Sequence, residues 1–162
     1  MATKKSMCIL FAVLAVVATT DLSAQGTDPR IGTWKLNSAE STFDPGPPPK
    51  SYTRTYVDRG GGVTLFTAEG ISAQGNPVFL QVAYKLDGKD YPQATTGAQT
   101  VSSISQKLVD PFTVEVIIKT GGKVTSIGTQ AVSRDGGTLI YRAKGTDAQG
   151  RPTSFVQVFE RR

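Results

Sequence analysis

Residues 112–144 read FTVEVIIKTGGKVTSIGTQAVSRDGGTLIYRAK, three alternating runs divided by glycine turns. The runs are Phe112–Lys119, Val124–Ser133 and Thr138–Lys144; the dividers are Thr120-Gly121-Gly122-Lys123 and Asp135-Gly136-Gly137. In the first run Phe112, Val114, Val116 and Ile118 share one face at a period of two. Thr113, Glu115, Ile117 and Lys119 share the other. One apolar face and one mixed face predict a strand buried on one side and wet on the other. Glycine supplies the positive φ that tight hairpins need, so these runs are antiparallel neighbours in chain order.

The same grammar extends in both directions. Ile31–Asn37, Ser51–Asp58, Val63–Glu69, Val78–Leu86, Thr100–Val109 and Ser154–Arg161 are further short strands. Arg59-Gly60-Gly61-Gly62 and Asp87-Gly88 are further turns. Nine short strands without a long helix predict an all-β domain, either a closed barrel or a two-sheet sandwich. The strand pattern leaves that choice open. Asp44–Lys50, DPGPPPK, is too proline-rich for a central strand and reads as a stiff loop after the first strand. Asn37 to Phe43 is expected to make one helical turn capped by Ser38. AEGISAQGNP at 68–77 matches AKGTDAQGRP at 143–152, and Gly61-Gly62 matches Gly136-Gly137 at the same offset. The repeat reads as two half-sheets of similar build, or as similar hairpin loops that converge on the same turn residues, and carries no chemistry.

The first 24 residues follow a different pattern. Lys4 and Lys5 precede an apolar core from Met7 to Ala18, and Leu22-Ser23-Ala24 offers a small residue for cleavage. That core is far below the ~20 residues a bilayer span needs, so it predicts a cleaved signal peptide of residues 1–24. The expected product, residues 25–162, is one domain, secreted or periplasmic, with no membrane span after cleavage. Cleavage takes away Lys4, Lys5 and Asp21, lowering the net charge of +5 by one. It also takes the only cysteine, Cys8, so the domain must rely on its hydrophobic core rather than on disulfides.

The chain contains no histidine. Histidine-ligated zinc, haem and copper are excluded, as is histidine acid–base chemistry. No cofactor and no metal site are expected. Asp87 and Asp90 flank Gly88-Lys89, but two acids with a lysine between them are too few ligands for calcium. The positive charges, among them Lys35, Arg59, Lys85, Lys107, Lys123 and Arg142, are scattered, which predicts a solvated surface and no nucleic-acid footprint.

Gly32-Thr33-Trp34-Lys35-Leu36 opens the first strand, and Val158-Phe159-Glu160-Arg161-Arg162 ends the chain. The opening resembles the Gly-x-Trp of the calycin superfamily, the lipocalins and fatty-acid-binding proteins. With LDGKDYP at 86–92 and VSRDGGTL at 132–139 it is also similar to a group of uncharacterised secreted bacterial lipocalin-like proteins. The resemblance implies an antiparallel up-and-down barrel of about 8–10 strands, with the two-sheet sandwich as the alternative. It implies a barrel end closed by Trp34 packed on Arg161, with Gly32 in the same motif. It implies no assigned activity; small-molecule binding is expected because a barrel of this size can hold one ligand. One departure stands out. The last strand of fatty-acid-binding proteins resembles Arg-x-Tyr, whose side chains hold a carboxylate. Here Gln157 and Phe159 occupy those places, and a glutamine cannot neutralise an acid.

The candidate pocket comes from strand faces. Tyr52, Arg54 and Tyr56 alternate against Thr53, Thr55 and Val57. Pointing inward, Arg54 would be a polar handle among aromatic walls, with Glu115 as a possible carboxylate partner; pointing outward, the same face would be ordinary surface. Tyr84, Tyr141 and Gln157 are further wall candidates. The leading reading is an exported binding protein for a small apolar or amphipathic ligand. The alternatives are a filled barrel with a structural, inhibitory or protein-contact role in the envelope, and an isomerase-like or carboxylate-dependent enzyme. No protein partner is named by the sequence, and no catalytic constellation is visible, so the chain is read as a non-enzyme.

Overall fold

The computed structural model describes residues 28–162; the expected signal peptide, with Lys4, Lys5, Cys8 and Ala24, lies outside the described residues. Eleven strands follow one another: β1 (Gly32–Leu36), β2 (Thr42–Asp44), β3 (Ser51–Asp58), β4 (Thr64–Ile71), β5 (Pro77–Tyr84), β6 (Tyr91–Thr95), β7 (Ser102–Asp110), β8 (Thr113–Thr120), β9 (Lys123–Val132), β10 (Thr138–Thr146) and β11 (Pro152–Arg161). From β3 to β11 each strand pairs antiparallel with the next, and β1 pairs with both β3 and β11. That last pairing closes the sheet. The fold is a closed, antiparallel up-and-down barrel of ten strands with one short extra strand, β2, and a sandwich is ruled out because the sheet has no free first edge.

Two strands escaped the sequence reading. β6 has five residues and contains Pro92, which removes a ladder donor and demotes a run read from sequence alone. β2 has only three. The helical turn expected over Asn37 to Phe43 is not formed. Asn37, rather than Ser38, organises a plain turn: its side-chain oxygen accepts from the Ala39 and Glu40 amides, at 3.1 and 3.3 Å. Thr42–Asp44 then lies along β11 beyond the end of β1, so β1 and β2 are two pieces of one interrupted stave.

The repeat marks two hairpins of the same construction. In one, the Ser72 amide donates to Asn76 O and the Gly75 amide to Ser72 O; in the other, Asp147 donates to Arg151 and Gly150 to Asp147. Gly75 and Gly150 both take positive φ there, which an L side chain resists. Ala68 and Ala143 both point into the barrel and are buried.

One end of the barrel is plugged. Trp34 is fully buried, and its indole N–H donates to Arg30 O at 2.8 Å. The Arg161 guanidinium lies 4.1 Å from the indole ring centre and donates to three carbonyls, of Gly136, Ile31 and Pro29, at 2.7, 2.8 and 2.6 Å. Trp34 and Arg161 are also cross-strand partners, so the contact joins the first strand to the last. Gly32 has a φ of 131°, and a Cβ there would stand 2.5 Å from Arg161 Nη1, so the glycine makes the room that the guanidinium fills. Beneath the indole, buried Arg30 pairs with Asp28 and donates to Gln106 Oε1 at 2.8 Å.

Burial pushes the hydroxyls of Tyr84 and Tyr141 above the ordinary tyrosine value of 10.0. The fold therefore favours their neutral form, a contribution fully present below pH 10 and lost as pH rises beyond it. Stability should fall above about pH 10, with tyrosinate absorbance from these residues appearing together with unfolding. Ionisation of Tyr84 and Tyr141 at about pH 10 with circular dichroism unchanged would contradict their burial.

Candidate functional site

The face carrying Tyr52, Arg54 and Tyr56 points into the barrel. Arg54 and Tyr56 are 7% and 1% exposed, and Tyr52 packs half-buried on the Phe159 ring at 6.2 Å between centroids. Strand β3 places Arg54 opposite Ala68 of β4, and the small alanine leaves the barrel centre open to the guanidinium.

Four aromatic rings surround that guanidinium. Its centre is 4.6 Å from the Tyr141 ring centre, 4.7 Å from Phe159, 5.6 Å from Phe66 and 5.8 Å from Tyr52. Its Nη2 donates to Gln157 Oε1 at 2.8 Å, and its Nε has no partner. Among the described residues no carboxylate forms an ion pair with it. Glu115, the partner suggested by sequence, is exposed on the outer face of β8, opposite in direction to buried Val114 and Val116. The π faces stabilise the cation without neutralising it. Gln157, the residue that breaks the Arg-x-Tyr likeness, is therefore in contact with a guanidinium supplied by a different strand.

Beside Arg54 lies a cavity of about 230 Å³. Tyr52, Arg54, Tyr56, Tyr141 and Gln157 all line it, and Tyr84 does not: it sits nearer the plug, beside Arg30 and Gln106. The sequence missed Gln93, Gln106 and Gln130, which line it as well. Gln130 donates to the Tyr56 hydroxyl and Gln106 accepts from Arg30. Alternation could have flagged Gln106, two residues past buried Ile104, and Gln130, two before buried Val132. A polar residue at such a position ordinarily signals the wet face, so only the hollow interior gives these glutamines their meaning.

A second hollow of about 280 Å³ opens at the unplugged end, between Pro45–Pro49 and Ser72–Gln74, and shares Tyr52 and Gln157 with the inner cavity. It lies where β2 pairs with β11 and not with β3. A groove of about 430 Å³ runs beside β2 and β9–β11, lined by Glu115, Arg142 and Lys144 among others. None of the unpartnered buried polar atoms borders that groove, so its volume is no guide to the chemistry.

Among the described residues no group of three or more acids, cysteines or histidines converges. Asp87 accepts from the Lys89 amide and the Tyr91 hydroxyl, both at 3.0 Å, and Asp90 pairs with Lys119 at 2.6 Å. The two carboxylates are thus engaged separately. The melting temperature should be unmoved by EDTA and by dithiothreitol; a fall of several degrees with EDTA would reveal a cation near Asp87. No helix among the described residues is long and apolar enough to cross a membrane.

No family model matches the chain, and no curated protein matches it. Among solved structures it is similar to EF1p2_mFAP2b bound to DFHBI, at 12% identity, covering 83% of this chain and 94% of that one with a TM-score of 0.47. It is also similar to a redesigned beta barrel, b11L5F_LGL, at 15% identity, 83% and 92% coverage and a TM-score of 0.49. A third, the redesigned beta barrel mFAP1 bound to DFHBI, has 12% identity, 82% and 95% coverage and a TM-score of 0.45.

Proposed function

We propose that this chain is an exported binding protein, of the secreted bacterial lipocalin-like kind, that holds a small amphipathic acid inside its barrel. The observation that carries the reading is Arg54: a permanently charged group, buried, ringed by aromatics, facing a cavity and paired with no carboxylate among the described residues. An unpaired buried charge costs several kcal/mol, so such a group is retained where an anion or water meets it. The cavity of about 230 Å³ is smaller than the ~300–1,000 Å³ of drug-sized sites, which favours a compact ligand over a long alkyl chain. Its lining holds no acid, cysteine or histidine to move a proton at neutral pH, which favours binding over turnover.

Native mass spectrometry of the protein purified from its own host tests this. The expected spectrum shows the barrel with one low-mass acid, released on mild activation. A barrel that carries only apolar lipid, or that binds no small acid added in excess, would overturn the reading.

A further inference from the structure

Among the described residues five buried side-chain polar atoms have no partner, and three of them belong to residues lining the inner cavity: Arg54 Nε, Tyr141 Oη and Gln93 Oε1. Their placement is not random. Arg54 and Tyr141 form one cluster, with the guanidinium centre 4.6 Å from the Tyr141 ring centre. Gln93 comes from β6, three strands from β3 in one direction around the barrel and four from β10 in the other. Its amide nitrogen donates to Ser102 Oγ at 3.0 Å, which holds the side chain in place and leaves the oxygen bare. The rest of the lining is largely aromatic and aliphatic, with Tyr52, Phe66 and Phe155 among the rings, beside Gln106, Gln130 and Gln157.

We propose, building on the reading above, that the ligand is a one-ring aromatic acid with a hydroxyl group remote from its acid group. The acid oxygens accept from Arg54 Nε and from the Tyr141 hydroxyl, while Nη2 keeps its bond to Gln157. The ring occupies the space between the aromatic walls, where flat faces stack well. The hydroxyl donates to Gln93 Oε1. With this occupant none of the three atoms is left without a partner. A plain aliphatic or aromatic acid would leave Gln93 buried and unpaired, and sites built to hydrogen-bond a ligand hydroxyl reject analogues that lack it.

The test is a calorimetric titration of the unaltered protein and of Gln93→Leu with benzoate, meta- and para-hydroxybenzoate, and para-toluate. One hydroxybenzoate is expected to bind the unaltered protein about tenfold or more tighter than benzoate, a difference of ~1.4 kcal/mol. Para-toluate, of nearly the same shape as the para acid, should show no such gain. In Gln93→Leu the gain should vanish, the hydroxybenzoate binding no more than about twofold tighter than benzoate, since Leu removes the amide and keeps an apolar wall. The toluate comparison needs no variant, so it decides the matter even if Gln93→Leu folds poorly. If benzoate binds but neither hydroxyl position improves it, or the gain survives in Gln93→Leu, the hydroxyl assignment falls and the acid-binding function stands. If none of the acids binds, the function falls and this inference with it.

Discussion

Replacing Trp34 by alanine should lower the unfolding free energy by about 3–5 kcal/mol, the range for deleting a buried large aromatic. Three losses combine. The indole is fully buried, its N–H bond to Arg30 O disappears, and Arg161 loses the ring face 4.1 Å from its guanidinium. The effect should be more than local, because the contact joins β1 to β11 and so helps to close the barrel. Trp34 does not line the inner cavity, so binding of a small acid at temperatures where the variant remains folded should be little changed. Urea denaturation followed by circular dichroism measures the first effect. A midpoint equivalent to less than about 1 kcal/mol of change would show that the plug is dispensable.

Arg54→Met is expected to have the opposite profile. Removing a buried, unneutralised charge while keeping side-chain bulk should preserve stability or raise it, by roughly 1–4 kcal/mol where packing is good. Against this stand the lost attraction of four rings and the Gln157 amide left without its donor. Gln157 remains near the open mouth, where water can reach the hollow it shares with Tyr52, so this cost should be the smaller one. Affinity for a small acid should drop by roughly 1.5–3 kcal/mol, the scale of a charge-assisted hydrogen bond. Lower stability together with unchanged affinity would make Arg54 a structural cation and remove the site.

The period-two pattern and the glycine turns expose nearly every strand of this barrel in the sequence, because one face of each wall is dry and the hairpins are tight. What stays hidden follows from local rules that tertiary structure overrides. Pro92 masks β6, and with it Gln93, because proline is read as an end to pairing. Tyr52, Arg54 and Tyr56 make a face that reads equally well as wet or dry; only closure of β1 on β11 turns it inward. Gln106 and Gln130 look like solvent-facing residues, yet they point to a hollow centre, where polar groups can be paired with one another. Glu115 fails as a partner for Arg54 for the simplest reason, that its neighbours Val114 and Val116 own the inner face.

The central claim is that an anion meets Arg54 inside the barrel. It is tested most directly by titrating benzoate into the unaltered protein and into Arg54→Met by calorimetry, at matched salt and pH 7. One binding site is expected in the unaltered protein, with an affinity about 10- to 150-fold weaker in a well-folded Arg54→Met, the equivalent of that charge-assisted bond. Equal affinities in the two proteins, or no heat of binding in either, would contradict it.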